Sequence, residues 1–469
     1  MLHLPPIVGL FLTICLVIYL FRRDARQGNA VTGALWLPLI WVLLMGSRSV
    51  SQWLNVLGLS SLGSVEEGNP LDAIIYFSLI AGGIHVLNQR RVSFGEVIRE
   101  NKWLMVFLCY CFIAILWSDY QYIAFKRWIK VLGHPIMALV IFTEPDPQKA
   151  LTTLMKRSAY ILVPFSICAI KYYPEIGRGF DKWTGIAMNL GIAQTKNMLG
   201  CDCFVLGFYF SWYFLKTWRS PRTNARRQEL YLVLFILAMT AWLLYKSHSA
   251  TSSLSLIIGG TIVLLLERSW VNKRFVGTYA IAGIVLLGIA ELCFGIVEQV
   301  VDLTGHNDTI MGRTALWGEL LDLHTNPLFG VGFESFWLGD RLTGLWETHW
   351  WHPNEAHNGY LDLYLDLGLV GVFFLVATVV SAFRKARAEL LRNFVWGQYR
   401  MGFLIAVVFY NCTEATFRGL SLIWFIFYII AMDYSDIRST ATEQFAEIEW
   451  EEEPEMVKAQ AHLHGPLAS

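Results

Sequence analysis

Charged residues are scarce in this sequence. Only 16% of the 469 residues are Asp, Glu, Lys or Arg, whereas soluble domains carry about 25%. Hydrophobic residues make up 55% of the chain, and its mean hydropathy is +0.46. A soluble globular protein is thereby excluded, and we expect the chain to lie in a lipid bilayer.

The sequence also lacks an excess of charge of either sign, since Lys plus Arg and Asp plus Glu each number 37. It therefore gives no indication of a nucleic acid partner. The eight cysteines all lie within or at the end of an apolar run, so neither a disulfide framework nor a cysteine zinc site is expected. We find no internal repeat and few charges inside the apolar runs, which disfavours the commonest transporter architectures.

Long apolar runs are what the chain has in abundance. A membrane-spanning helix needs roughly 20 mostly apolar residues, because its backbone must satisfy its own hydrogen bonds. The candidate spans lie near residues 4–21, 31–46, 70–87, 103–117, 129–143, 158–172, 198–217, 229–246, 253–267, 276–296, 361–382, 401–413 and 419–434. We predict an all-α, polytopic membrane bundle of about 12 to 13 transmembrane helices.

The spans divide the chain into four parts. Residues 1–296 hold helices 1–10, residues 297–360 form one long loop with short helices, and residues 361–434 hold helices 11–13. Of the 37 basic residues, 23 fall in alternate loops, which places those loops in the cytoplasm and the long loop outside. We expect the Glu-rich tail, residues 435–469, to be cytoplasmic and disordered.

The long outer loop is rich in aromatic and titratable side chains. A short amphipathic helix is predicted over 311–321, and Gly330 and Gly332 are interpreted as a turn. Aromatic faces beside polar groups suit a sugar or lipid headgroup, although tryptophan also anchors loops at a membrane interface. The loop contains Trp317, Trp337, Trp346, Trp350, Trp351, His306, His324, His349, His352 and His357.

Basic residues on the outer side need a separate explanation, since the positive-inside rule gives none. They either pair with acids and lipid phosphates or bind an anionic substrate. The acid Glu414 lies near the outer end of a span, where it would pair with Arg418. The outer basic residues are Arg48, Lys126, Arg127, Lys130, Lys171, Arg178, Lys182, Lys196, Lys246, Arg313, Arg341 and Arg418.

One motif at the end of the loop is specific. His357 and Asn358 are followed by nine residues and then by Gly368, Leu369, Val370 and Gly371. This pattern resembles the signature of the bacterial O-antigen ligase and O-antigen polymerase superfamily. Five weaker matches to the same family occur in the order in which the family has them, over roughly residues 100–435. They are Trp117-Ser118-Asp119 with Arg127, then the segments 195–200, 247–252, 312–317 and 326–332. The family is usually drawn with twelve spans, one fewer than the thirteen counted here.

The resemblance implies a glycosyltransferase of GT-C-like architecture in the bacterial inner membrane, with its active site facing the periplasm. Such enzymes transfer an oligosaccharide from undecaprenyl diphosphate to a sugar hydroxyl, without a metal or other cofactor. By resemblance we expect His357 to be the base, because its ordinary pKa lies near neutral pH. Arg313 and Arg127 would hold the diphosphate. Further substrate-binding candidates are Lys196, Asn197, Asn358, Trp350 and Trp351.

Several functions remain open at this point. A polymerase joins lipid-linked repeat units, with a chain-length regulator as a further candidate partner, and the segment 332–337 resembles the exopolysaccharide polymerase branch. A ligase passes finished glycan to a lipid A core acceptor. A transporter of lipid-linked sugar would instead carry its ionisable residues near the midplane. A metalloenzyme is the last alternative, because His349, His352, Glu355 and His357 lie close together in sequence.

Overall fold

The computed structural model describes residues 4–26, 28, 31–59, 68–180, 185, 187–283, 307–323 and 325–434. The predicted tail at 435–469, His306, His324, Lys182 and most of the predicted tenth span lie outside these ranges. Nearly all of the described secondary structure is helical, apart from one antiparallel pair of strands, β1 (Arg178–Phe180) and β2 (Ala187–Asn189). The predicted all-α, polytopic architecture is thereby confirmed.

Nine α-helices precede the strand pair. They are α1 (Pro6–Arg26), α2 (Trp36–Met45), α3 (Val50–Val56), α4 (Pro70–Gln89), α5 (Phe94–Glu100), α6 (Lys102–Ile113), α7 (Gln121–Phe142), α8 (Pro147–Tyr172) and α9 (Pro174–Gly177). Short 3₁₀ helices at Gly33–Leu35 and Ala114–Trp117 extend α2 and α6.

Further helices follow the strands. They are α10 (Lys196–Trp218), α11 (Asn224–Ser247), α12 (Ala250–Leu266), α13 (Asn307–Asp322), α14 (Gly339–Thr348), α15 (Gly359–Arg392), α16 (Phe394–Tyr410) and α17 (Leu422–Ala431). A 3₁₀ helix at Lys273–Phe275 follows α12. The short helix predicted over 311–321 corresponds to α13.

Six of these helices are long and apolar enough to cross a membrane, or up to eight if each of two bent pairs counts as one span. Three shorter apolar helices, α12, α16 and α17, coincide with further predicted spans. The bent pairs are α2 with α3 and α5 with α6, which turn by 54° and 101°. These bends were not predicted from the sequence.

Helix α15 is interrupted where the His357 motif ends. Gly368 has φ 63° and ψ −168°, a conformation open only to glycine. A segment of turns, Pro327 to Gly332, lies beside this break and exchanges backbone hydrogen bonds with it. Gly332 N–H donates to the Asp366 carbonyl at 2.8 Å, and Leu369 N–H donates to the Pro327 carbonyl at 2.9 Å. A Cβ on Gly330 would lie 2.4 Å from the Asp366 backbone. The glycines therefore permit contact between two backbones.

Two buried aspartates of α15 hold the long loop in place. Asp366 accepts hydrogen bonds from the backbone N–H groups of Ser335 and Phe336 at 3.0 and 2.9 Å. Asp362 accepts one from the Trp337 indole at 2.9 Å and one from the Ala356 N–H at 3.0 Å. The loop is thus fixed on both sides of α14, which determines where His357 lies.

The connection between α16 and α17, residues 411–421, is fixed by the surrounding helices. Gly359 N–H lies 2.9 and 3.0 Å from the carbonyls of Asn411 and Glu414. On α7, the Nδ1 atom of His134 accepts a hydrogen bond from the Trp41 indole, so the ring proton lies on Nε2. Nε2 donates that proton to the Gly419 carbonyl oxygen, 3.1 Å away. This connection therefore faces the start of α15 in a fixed position.

The break in α15 generates a first prediction. Gly368→Ala should lower the thermal unfolding temperature, because the added Cβ would lie 2.2 Å from the Leu328 carbonyl carbon in a strained conformation. Such strain costs on the order of 1–3 kcal/mol before any overlap is counted. Fluorescence-detected size-exclusion chromatography of heated protein measures the change.

Gly260→Ala is the matched control. This glycine lies inside α12, and a Cβ added to it would meet no heavy atom of the described residues within 4 Å. Alanine favours a helix over glycine by about 0.5–1 kcal/mol, so this variant should unfold at an equal or higher temperature. Equal unfolding temperatures for both variants would show that the interruption of α15 does not require a glycine at position 368.

Candidate active site

His357 lies in the turn immediately before α15. Its backbone is left-handed, with φ 50°, which is uncommon for a residue other than glycine. The next residue, Asn358, caps the helix, because its side-chain oxygen accepts hydrogen bonds from the N–H groups of Tyr360 and Leu361 at 3.1 Å each. Asn358 was predicted to bind substrate. The structure gives its side-chain oxygen a capping role that orients His357.

Two carboxylates face the Nδ1 atom of His357. Glu355 Oε1 lies 2.9 Å away and Glu414 Oε2 lies 3.5 Å away. Both are ion-pair contacts without hydrogen-bond geometry, so Nδ1 is a buried atom that lacks a hydrogen-bond partner among the described residues. Glu414 comes from the connection after α16, which the tertiary structure brings to the His357 turn.

Two arginines bind the far sides of these carboxylates. Arg313, on α13, lies 3.4 Å from Glu414 Oε1 and donates to the Thr413 carbonyl at 2.7 Å. Arg418 lies 3.8 Å from Glu355 Oε2 and 3.3 Å from Asp362 Oδ2. The prediction that Glu414 pairs with Arg418 was wrong, because Glu414 pairs with Arg313 while Arg418 turns toward Glu355.

Two further predicted residues adjoin this cluster. Asn197, at the start of α10, donates from Nδ2 to both carboxylate oxygens of Glu414, at 3.1 and 3.2 Å. Lys196 is the first residue of α10 and is half-buried beside it. The positive end of α10 therefore points at the Glu414 side of the cluster.

The arrangement continues to Arg127 on α7. Arg127 donates to the Glu334 backbone carbonyl at 2.6 Å and lies 4.0 Å from its carboxylate. Glu334 in turn accepts a hydrogen bond at 2.6 Å from Gly419 N–H, next to Arg418. We call the whole set the charge row. Arg313, Glu414, His357, Glu355 and Arg418 follow one another by direct contact, and Glu334 with Arg127 joins them through the backbone N–H of Gly419.

The charge row fixes the protonation of its centre. Burial alone would lower the pKa of His357, but contacts with Glu355 and Glu414 outweigh burial and raise that pKa to about 10. For Glu355, burial raises the pKa, whereas His357, Arg418 and Arg313 together lower it below the ordinary value. The site therefore holds an imidazolium between carboxylates at neutral pH.

Side-chain atoms of Glu355, His357 and Glu414 lie within 4.8 Å of one another, close enough to surround a metal ion. The cationic side chains of Arg313 and Arg418 already balance the two carboxylates, so the set suits an anion better than a further cation. Of the histidines in the metalloenzyme alternative, His349 instead binds Glu319 at 2.7 Å and His352 stacks on Trp346 at 4.9 Å.

The two predicted substrate tryptophans lie after α14. Trp350 is 60% exposed, and the Trp351 ring lies 5.5 Å from the His349 ring. They belong to the same turn as Pro353, whose carbonyl accepts from the Trp346 indole at 2.9 Å, and that turn leads directly to Glu355. Their contact with substrate stays a prediction.

Sequence reasoning missed Glu355 and Glu414 as members of the site. Glu355 was noticed only as a possible metal ligand, although it stands two residues before His357. Glu414 lies 57 residues beyond His357 in the chain. The available signal was a carboxylate and a guanidinium, Glu414 and Arg418, in one short connection between spans on the same side as the long loop.

The geometry predicts an elevated histidine pKa that depends on Glu355. In protein carrying ¹⁵N-labelled histidine in lipid nanodiscs, the His357 nitrogen signals should keep imidazolium values up to a pH near 10. In Glu355→Gln the titration should move to lower pH, because an anion that stabilises the charged ring is lost. Glu347→Gln, an exposed acid of α14, is the control. A native titration near 6.5, the ordinary value, would contradict the ion pairs.

Comparison with known proteins agrees with this architecture. Residues 230–376 match the family described as O-antigen ligase, a stretch that contains Arg313, Glu355 and His357. The chain is also 24% identical over 299 residues to the exopolysaccharide production protein ExoQ of Rhizobium meliloti (strain 1021). That match covers 60% of this chain and 64% of the relative's length. The chain is thus similar, over residues 230–376, to membrane proteins of the O-antigen ligase family.

Proposed function

We propose that this enzyme polymerises oligosaccharide repeat units linked to undecaprenyl diphosphate into surface or exopolysaccharide, at the outer face of the bacterial inner membrane. The observation that carries the proposal is the charge row, in which a histidine lies between carboxylates and an arginine flanks them. The likeness to an exopolysaccharide production protein favours polymer synthesis.

The reaction requires one bond to form and one to break. A sugar hydroxyl of the acceptor attacks the anomeric carbon of the donor, and the bond from that carbon to the diphosphate oxygen breaks. The electron pair of that bond leaves on the diphosphate, and the hydroxyl proton passes to a base. The site must therefore supply a proton acceptor and positive charge for the leaving group.

His357 has the features of the proton acceptor. Carboxylates at Nδ1 favour the neutral tautomer that keeps its proton on Nδ1, which leaves the lone pair of Nε2 for the acceptor hydroxyl. The same carboxylates make the ring a stronger base. Because the pKa of His357 is about 10, the reactive neutral ring is the minor form at neutral pH.

Arg313 supplies charge for the diphosphate, because its guanidinium contacts only one carboxylate oxygen, at 3.4 Å, and one carbonyl among the described residues. The N-terminus of α10, with Lys196 and Asn197, adjoins it. The N-terminus of α12 is also near, since Thr251 and Thr413 share a hydrogen bond of 2.8 Å. Both helix ends favour an anion at this position.

A ligase acting on a lipid A core is the second candidate, because the matching family is described as O-antigen ligase. The proposed transfer chemistry is the same for both activities. Only the acceptor differs, and the experiment must therefore vary the acceptor.

The proposal predicts a product ladder. Purified protein in lipid, given undecaprenyl-diphosphate oligosaccharide alone, should form chains of many lengths, and His357→Ala should reduce their formation by at least about 100-fold. Gel electrophoresis resolves the products by size. His349→Ala is the matched control, because that histidine pairs with Glu319 and should leave the ladder unchanged.

Other results would overturn separate parts of the proposal. Product that appears only when a lipid A core is added identifies a ligase. A ladder that persists in His357→Ala removes His357 as the base. Loss of activity on metal chelation, restored by a divalent ion, would support the metalloenzyme alternative.

The base assignment also predicts a pH dependence. Because only the neutral ring accepts a proton, kcat/KM should rise about tenfold per pH unit below a pKa of about 10. In Glu355→Gln the pKa falls, so the rate should level off at lower pH, with a smaller maximum. Glu347→Gln should keep the native profile. A native rate independent of pH between about 6 and 9 would contradict His357 as base.

A further inference from the structure

The two arginines predicted to share one diphosphate lie at opposite ends of the charge row. Arg313 contacts the Glu414 end, and Arg127 contacts the Glu334 end. His357 lies between them, together with Glu355 and Arg418. An anion held by Arg313 therefore lies on one side of the base, and an anion held by Arg127 lies on the other.

Lys130 adds a second cation at the Arg127 end. It follows Arg127 by three residues on α7, so both side chains lie on one face of the helix. Its Nζ lies over the Tyr76 ring at 5.7 Å, and within the described ranges no carboxylate lies at ion-pair distance. The nearest acid on α4, Asp72, instead accepts from the N–H and hydroxyl of Ser51 at 3.0 and 2.5 Å.

Lys130 is half-buried, and a partly desolvated ammonium is costly unless an anion or water compensates its charge. Arg341 strengthens the positive charge nearby, because it contacts the Phe336 carbonyl at 3.4 Å, two residues from Glu334. Its own acid, Asp119, is 57% exposed and lies 3.1 Å away. This end of the row thus combines Arg127 and Lys130, with Arg341 close by.

We propose that Arg127 and Lys130 bind the diphosphate of the acceptor, so that this enzyme holds two lipid diphosphates, one on each side of His357. The inference rests on the proposed polymerase function, in which the acceptor repeat unit is itself lipid-linked. The acceptor's headgroup is anchored at Arg127 while its distal sugar hydroxyl reaches His357. The donor's diphosphate occupies the Arg313 end.

A comparison of two acceptor substrates distinguishes binding of the acceptor's diphosphate by Arg127 and Lys130 from a role of these residues in glycosyl transfer itself. One is the lipid-diphosphate-linked repeat unit, and the other is the same oligosaccharide as a free methyl glycoside, without lipid or phosphate. At saturating donor, Arg127→Gln and Lys130→Gln should each raise KM for the lipid-linked acceptor about tenfold or more, as expected for the loss of a charge-assisted contact. KM for the free glycoside and kcat with either acceptor should stay at native values.

Two variants serve as controls. Lys126→Gln removes a neighbouring charge from the adjacent face of α7, where Lys126 lies over Tyr122 at 4.6 Å, and should change neither KM. Arg313→Gln should reduce the rate by the same factor with both acceptors, because the donor is common to both. Activity with the free glycoside also shows that each variant is folded.

Pyrophosphate provides a second measurement. It should compete with the lipid-linked acceptor in the native enzyme, and in Arg127→Gln a higher concentration should be needed. Equal losses with both acceptors, or no change with either, would overturn the acceptor site and leave the polymerase intact. A native enzyme that forms product only with a lipid A core, or none at all, would overturn the proposed function as well.

Discussion

The structure depends on the ion pairs that surround His357. The imidazole lies against Glu355 and Glu414, and each carboxylate is bound on its other side by an arginine. Charges of opposite sign alternate along the row, so each buried charge has a compensating neighbour. Removing Arg313 or His357 takes a compensating cation from the buried carboxylate of Glu414, which is more costly than the loss of a single contact. This constraint explains why residues from α13, the long loop and the connection after α16 must meet at one point.

The helical bundle holds these three segments together mainly through backbone contacts. The break at Gly368 lets the segment from Pro327 to Gly332 pair with α15, and Asp362 and Asp366 then fix the loop on either side of α14. The connection at 411–421 is fixed separately, through Gly359 and His134. Glu355, His357 and Glu414 therefore project from turns whose positions are set by buried hydrogen bonds.

The sequence predicted more of the fold than of the site. Apolar length predicted the long apolar helices, because each segment that crosses a bilayer must itself be long and apolar. The His357 motif lies in the turn before α15, and its role in the reaction stays a prediction. The motif did not show that Asn358 caps α15 or that Gly368 accommodates a second backbone. Arg127 and Arg313 were placed together by their chemistry alone. Their opposite positions in the charge row follow from which carboxylate each one contacts.

The sequence by itself determined that this chain is a polytopic helical membrane protein with a histidine motif after a long loop. Both properties are local, because hydropathy and spacing are read within one segment. Only the tertiary structure decided that Glu414 approaches His357 from 57 residues away and that Arg418 turns to Glu355 instead. Those pairings depend on which helix ends pack side by side. Packing is a property of the whole bundle, and no segment encodes it alone.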